Sequence, residues 1–331
     1  MSLTNKTTRR AFCKALFAST LAAVATPHFA QAQGAYPTKP IRFILPFGPG
    51  GVADTTSRLV AEKLGDKLGQ RLVVENMPGA GGISAARAAL QAGNDGYALA
   101  LVTNGNAISV PLFKSLPYDP VKDFVPVSSI GTFECLLIVN ASSPYKTLED
   151  WIKVAKEKPG KLNIGTITAG STQHLTAELF KSSAGVDFVI VPSRTTGEAV
   201  VALLRNDIDM VIDFYAALKP GLLDNKTRAL AWSGLTPSPA MPEVPAAINT
   251  VQGFEVVSWN ALYAPAGTPQ NVIDTLNKGL REVLVDPDLK RRALDLGIDL
   301  KASTPAEIHD RLQSDIKKWA AVIQRAGIER Q

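Results

Sequence analysis

Cysteine, histidine and acidic charge at one end are all scarce in this 331-residue chain, and each scarcity excludes something. Of its two cysteines, Cys13 lies in a basic N-terminal segment and Cys135 stands alone in the remainder, so no internal disulfide is expected there. The three histidines are His28, His174 and His309. They form no Cys/His cluster at metal-ligand spacing, and no Walker-type phosphate loop is present, so neither a metal nor a nucleotide triphosphate is expected. Residues 1–32 contain Lys6, Arg9, Arg10 and Lys14 but no acidic side chain. Without those four, the 35 basic residues fall to 31 against 30 acidic ones. A body this close to neutral has no electrostatic footprint for nucleic acid or an anionic membrane. Beyond the N-terminal segment no run reaches 18 apolar residues, which predicts a body without a membrane span.

The basic start is followed by an eleven-residue apolar run, Ala15–Ala25, and by Ala30-Gln31-Ala32. That is the layout of a signal peptide with a small-x-small cleavage site, placing the mature N-terminus at Gln33. Arg9-Arg10 ahead of an aromatic residue is consistent with twin-arginine export. Cys13 precedes the apolar run and is therefore not a lipoprotein acceptor.

The rest alternates short β-like runs with amphipathic segments, an α/β pattern. Strands are expected at 41–45, 71–76 and 97–104, with helices between them from about Asp54 to Leu68 and through Ala89–Leu90. Three consecutive βα units predict a parallel sheet. A second set follows the proline-rich stretch 111–126: a strand over 130–139, a helix over 148–157 capped by Thr147, and a strand at 161–166. A helix from about Thr172 to Ala184 comes next. Further buried strands are expected at 187–192, 209–213 and 227–232. Four prolines within 236–245 mark a boundary, after which 254–265 returns the chain to its first half. Thr268-Pro269 should start one helix and Thr304-Pro305-Ala306-Glu307, a capping box with Pro at the first helical position, another. In the latter, Ile308, Leu312, Ile316, Trp319 and Ile323 form one apolar stripe, a packing face.

Two strand-to-helix elbows carry the chemical signal. The first, PFGPGGVAD at 46–54, combines glycines that let a ligand approach the backbone with the free N–H groups of a helix start, which attract an anion. Read as G-x-G-x-x-A, the same loop suits a dinucleotide, with Glu75 about 20 residues on as the ribose ligand. An NAD(P)-dependent oxidoreductase is thus a rival reading, though no proton-transfer residue accompanies the loop. The second elbow, NIGTITAGSTQH at 163–174, offers the hydroxyls of Thr166, Thr168, Ser171 and Thr172 beside another helix start. One of Ser171 and Thr172 should be the N-cap. Ser171-x-x-His174 lacks the nucleophile-elbow sequence that would expose a catalytic serine, and His174 is expected to pack against its own helix. Asp213 ends one strand and Arg194 follows another, where ligands lie in open α/β sheets. Arg194 is equally suited to a surface role.

Six ordered motifs are recognisable between about Tyr36 and Ile328: YPTKPIRFILPFGPGGVAD (36–54), VVENMPGAGG (73–82), LPYDPVKDF (116–124), PGKLNIGT (159–166), GSTQHLTAELF (170–180) and APAGTP (264–269). With them the chain resembles the Bug family, the periplasmic substrate-binding receptors of tripartite tricarboxylate transporters. The resemblance implies a two-lobed periplasmic-binding-protein-like α/β fold with the ligand cleft between the lobes. We divide it as residues 1–32 (leader), 33–134 with 257–331 (lobe 1) and 135–256 (lobe 2). It further implies a non-catalytic, monomeric receptor without a cofactor, holding a small organic carboxylate for the membrane subunits of a transporter. A sensing role beside a membrane histidine kinase would use the same cleft. Matching positions carry the ligand to Phe47, Gly50, Gly51 and Asp54, to Asn104, and to Thr166, Thr168, Ala169, Gly170, Ser171 and Thr172, with Asp213 opposite. Three departures fall near the cleft. Ser193-Arg194-Thr195 replaces the usual Tyr-Lys-Gly, Asp213-Phe214-Tyr215 the usual Asp-Asn, and Asn260 follows Trp259 where an aromatic is common. An inward Arg194 would pair with a second carboxylate, and Phe47 or Tyr215 would flank an aromatic ring. A dicarboxylate, aromatic or not, is the resulting expectation.

Overall fold

The β-rich runs become strands in the computed structural model, which describes residues 36–168 and 170–331. The leader expected at 1–32 and the site candidate Ala169 lie outside the described residues. The first half runs β1 (Ile41–Leu45), α1 (Val52–Leu68), β2 (Leu72–Asn76), α2 (Ile83–Gln91), β3 (Ala98–Thr103) and α3 (Asn104–Leu112). β1 lies between β2 and β3 and is parallel to both, as the repeated βα units require. α1 stops where Gly69 adopts a left-handed conformation (φ 68°), a conformation that costs glycine little.

The middle of the chain contains β4 (Phe124–Asn140), α4 (Leu148–Glu157), β5 (Asn163–Ile167), α5 (Thr172–Ala184), β6 (Val189–Ser193), α6 (Thr196–Leu204), β7 (Met210–Phe214), α7 (Tyr215–Leu223) and β8 (Thr227–Trp232). Thr147 closes a capping box with Asp150 at the start of α4. The chain ends in β9 (Val257–Pro265), α8 (Gln270–Val283), α9 (Pro287–Leu294), β10 (Ile298–Leu300) and α10 (Pro305–Ala326). α10 carries the expected Thr304–Glu307 capping box, and Leu312 and Trp319 on its apolar stripe are buried.

Several expectations need correction. β4 begins at Phe124, not at residue 130, because its first part pairs along β9. β6 is not a buried strand: it pairs with β5 at the end of the sheet, and Val189 is 48% exposed. The helix expected at Thr268-Pro269 does start there: Pro269 takes the cap position of α8, and the Thr268 hydroxyl donates to the Pro265 carbonyl. The short β10, which pairs with β4, lies between the two expected helix starts where no strand was expected.

Ten strands are joined in the order β2-β1-β3-β9-β4-β7-β5-β6, with β10 and β8 attached to β4. The two halves of this curled sheet meet on β4. Its residues through Glu134 pair with β9, and from Cys135 onward it pairs with β7 and β8. Helices cover both halves. Trp151, Phe180, Phe188 and Phe254 stack in the core of the second, with ring centroids 5.3–5.9 Å apart. Cys135 is fully buried, and burial pushes its thiol up, away from the reactive thiolate form.

Glu134 is the misfit at the junction. Its Oε2 is buried without a hydrogen-bond partner. Burial, with the Glu255 and Asp299 carboxylates nearby, pushes its pKa up to about 7. A raised folded pKa means the native state holds a proton that the unfolded chain has released. This group therefore removes stability as pH rises from about 4.3, the ordinary glutamate value, to about 7. Glu134→Gln is expected to gain about 1–2 kcal/mol at pH 8, after discounting for partial exposure, and nothing at pH 4. Urea denaturation at the two pH values measures this, and an equal gain at both would contradict it.

Candidate functional site

The C-terminal ends of β1, β3, β5 and β7 converge on one cavity of about 370 Å3. Such ends are where ligands lie in α/β sheets. The first wall is the elbow after β1. Gly50 has a φ of 87° there, a left-handed conformation that glycine adopts without strain. Gly51 then caps α1 with no side-chain bond to its amides. The N–H groups of Val52 and Ala53 have no intrahelical acceptor, and both residues line the cavity with Phe47 and Gly51.

Asp54 has another task. Its oxygens accept from the Gly50 amide (2.9 Å), from Arg58 Nε (3.0 and 3.1 Å) and from Asn76 Nδ2 (2.9 Å). Burial alone would raise its pKa, but Arg58, the Gly50 amide and Asn76 together hold it below the usual carboxylate range. Asn76 also donates to the Phe47 carbonyl at 3.0 Å. Neither Asp54 nor Gly50 lines the cavity; they brace the loop that does.

The second wall is the elbow after β5. Ser171 caps α5, its Oγ accepting from the His174 amide at 3.1 Å. Gly170, Ser171, Thr172 and Gln173 line the cavity, and the first-turn amides of Thr172 and Gln173 again lack intrahelical acceptors. His174 Nδ1 accepts from the Gly170 amide at 3.2 Å, and burial lowers its pKa, so the ring is neutral and serves its own helix. No Ser171–His174 side-chain pair exists for nucleophilic attack. Thr166 is buried with its hydroxyl donating to the Ile167 carbonyl, while Thr168 is exposed and its carbonyl accepts from Ser171. Neither faces the cavity.

Asn104, at the start of α3, is buried rather than lining. Its Nδ2 donates to Thr172 Oγ1 at 3.1 Å, and its Oδ1 accepts from the Trp319 indole at 2.7 Å. It bolts the third-strand elbow to the α5 elbow and to α10. Thr172 spends its oxygen on Asn104 and keeps its hydroxyl proton for the cavity.

Asp213 is the penultimate residue of β7 and lines the cavity, 2% exposed. Its carboxylate accepts from Gln173 Nε2 (2.8 Å), Thr196 Oγ1 (2.5 Å) and the Phe214 amide (2.7 Å). Burial raises its pKa, and these three bonds only partly offset the shift. Arg194, in contrast, is exposed in the turn after β6 and does not line the cavity; its amide donates to Glu198, inside the cap of α6. Because β6 is the end strand and Thr195 caps the next helix, Arg194 is left outside. Tyr215 is also corrected. It packs on Trp232 with centroids 5.7 Å apart, and Phe214 lines the cavity instead, edge-on to Phe133 at 4.8 Å.

Sequence reasoning missed the glycine turn before α2 and the floor. In the turn, the Gly81 carbonyl accepts from Tyr118 Oη, which accepts from Asn106. Burial pushes Tyr118 up to about 12. Tyr118 belongs to the LPYDP motif, a signal present in the sequence without an assigned task. The floor comes from the antiparallel strands, where Ser258 of β9 faces Phe133 of β4, and Asn260 faces Thr103 of β3. Asn260 is 1% exposed, yet neither its Oδ1 nor its Nδ2 has a partner. Among the described residues no Arg, Lys or His lines the cavity, and Asp213 is the sole ionisable one there. Positive potential must come from the helix-start amides.

Among the described residues, no group of three or more His, Cys, Asp or Glu side chains is placed to hold a metal. The ribose role open to Glu75 in the oxidoreductase reading is taken, because both carboxylate oxygens accept from Arg42 at 2.8 Å.

The model of the tripartite tricarboxylate transporter family receptor matches residues 56–328. The protein BugT of Bordetella pertussis is 32% identical, over 88% of this chain and 90% of its own. The chain belongs to the Bug family of tripartite tricarboxylate transporter receptors. It is thus a solute-binding receptor with the two-lobed fold of periplasmic binding proteins. Two solved relatives agree. An R. palustris protein solved with adipate is 30% identical with a TM-score of 0.80, covering 89% of this Bug receptor and 99% of its own chain. MatC from Rhodopseudomonas palustris, with bound malate, is 31% identical with a TM-score of 0.75, covering 87% and 100%. No helix among the described residues is long and apolar enough to cross a membrane.

Proposed function

We propose that this Bug receptor, exported by its N-terminal leader to the periplasm, captures a small organic carboxylate and presents it to the membrane subunits of a tripartite transporter. The observation that carries this reading is the cavity wall: the first residues of α1 and α5, whose amides have no intrahelical acceptor, line one space in which no described cationic side chain takes part. A carboxylate is the group such a wall accepts, because each charge-assisted amide bond contributes about 1.5–3 kcal/mol net. Relatives solved with adipate and malate support the same chemistry.

In this reading residues 33–134 and 257–331 form one lobe and 135–256 the other. α1 and α5 start on opposite lobes, so both sets of amides reach the ligand only in a closed cleft. Binding then shifts an open–closed equilibrium that the membrane partner reads. Phe47, Gly51, Gly170, Ser171 and Thr172 act at the ligand, while Gly50, Asp54 and Asn104 act by holding the elbows.

Proline deletes one donor cleanly. At Val52, the first helical position, its ring suits the helix and only the N–H is lost. Val52→Pro is expected to weaken carboxylate binding about 10- to 100-fold, with the unliganded thermal midpoint nearly unchanged. Calorimetric titration against mono- and dicarboxylates measures the first quantity and a thermal melt the second. Unchanged affinity would remove the amide wall from the mechanism.

A further inference from the structure

Asn260 is a buried, cavity-lining side chain whose two polar atoms both lack a partner among the described residues. Its side chain is 1% exposed, lines the cavity and leaves one donor and one acceptor unmet. A buried amide left in this state is destabilising, so its presence on the floor points to something that arrives with the ligand. Rotating the amide does not help, because both ends are free.

The requirement is specific. The carboxamide offers its N–H and its C=O side by side, in one plane. An ionised carboxylate satisfies the N–H and sets its second oxygen against Oδ1. A methyl or methylene satisfies neither. A second carboxamide, or the amide edge of a lactam ring, meets both in a planar two-bond pair. The surroundings point the same way. Among the described residues no Arg, Lys or His lines the cavity to neutralise a second anion, and the only lining carboxylate, Asp213, would repel one. Arg194, which would have favoured a dianion, lies outside. Ser258, from the same strand, adds a hydroxyl on the same floor. Phe47, Phe133 and Phe214 add flat apolar surface to the same cavity.

We propose that Asn260 selects ligands whose end remote from the carboxylate is an uncharged carboxamide, so that the preferred class is a monoanionic amido acid. This rests on the carboxylate reading above and deepens it.

The test uses matched sets on the full mature receptor: hexanoate, adipate and adipic monoamide; the corresponding four- and five-carbon sets; and benzoate, terephthalate and 4-carbamoylbenzoate. Calorimetric titration of the wild-type protein should give at least one monoamide binding tenfold or more tighter than both its diacid and its monocarboxylate. In Asn260→Leu, the advantage of that monoamide over its monocarboxylate should shrink to within about twofold. If the leucine variant does not fold, the wild-type comparison alone decides the matter. A diacid that equals or exceeds its monoamide in every set would overturn the proposal, as would a leucine variant that keeps the monoamide advantage. Carboxylates that bind and respond to Val52→Pro without any amide preference would overturn this inference alone. Failure of every compound to bind would overturn the carboxylate reading together with it.

Discussion

Asn104→Leu is expected to cost both stability and affinity, because one side chain joins three elements at the rim of the cavity. Leucine shares the branched shape of asparagine and is larger, so the change deletes hydrogen bonds without opening a void. The Trp319 indole N–H and Thr172 Oγ1, bonded to Asn104 at 2.7 and 3.1 Å, would then be buried without these partners. An orphaned buried donor or acceptor costs about 1–3 kcal/mol, which puts the total loss near 2–4 kcal/mol in urea denaturation. The effect on binding follows from position. Thr172 lines the cavity and is aimed by Asn104, and the bond between them joins the elbow after β3 to the elbow after β5. Under the two-lobe reading proposed above, opening the cleft would break it, so its loss is expected to weaken the closed state and lower carboxylate affinity by roughly tenfold. Trp319→Phe separates the two effects. It keeps the Asn104–Thr172 bond and should lower stability while leaving affinity within about twofold. If Asn104→Leu lowers stability but leaves affinity intact, the bolt is structural only.

Much of this architecture was legible because local physics set it. Gly69 stops α1, Thr147 and Thr304 cap α4 and α10, and the largely apolar runs at 41–45 and 227–232 become strands with their expected ends. What escaped depends on pairing between distant segments. β10 is three residues long and forms only because β4 lies alongside it. DFVIVP reads as a buried strand on hydropathy, yet β6 sits at the end of the sheet with Val189 exposed, a position no composition specifies. The site divides in the same way. Gly51, Gly170 and Ser171 were readable because a helix start needs glycine or a hydroxyl at those positions. Asp54 and Asn104 were read as ligand contacts because their motifs place them beside the loop. In the fold, Arg58, Asn76 and Trp319 occupy their polar atoms. Asn260 and Phe214 stood out as departures from family pattern, but which face of β9 or β7 they occupied was a question of register. Arg194 stood out equally and lies outside the cavity.

Asp213 should produce the sharpest contrast between two substitutions at one position. The carboxylate collects donors from three places: Gln173 on α5, Thr196 on α6 and the Phe214 amide. Alanine would leave all three buried or half-buried donors searching for acceptors, an expected loss of about 3 kcal/mol or more. It would also free Gln173, whose helix start lines the cavity, so carboxylate binding should fall with stability. Asparagine behaves differently. Its oxygen can keep the bonds from Gln173 and Phe214, and its amide can donate to the Thr196 hydroxyl, which then turns to accept. Asp213→Asn is therefore expected to lie within about 1 kcal/mol of wild type near pH 7. The pH dependence supplies the decisive sign. Burial raises the native pKa of Asp213 above its unfolded value, so the wild-type fold holds a proton that the unfolded chain releases. Stability of the wild type relative to the asparagine variant must then fall as pH climbs from about 3.9, the ordinary aspartate value, and level off above the raised native value. Glu134 is common to both proteins and cancels from the difference. Urea denaturation of the pair between pH 3.5 and 8 measures this curve. A difference that stays flat across the range, or that moves in favour of the wild type as pH rises, would mean that Asp213 is held as a fully stabilised anion. Its three donors, rather than its burial, would then dominate the back wall of the cavity.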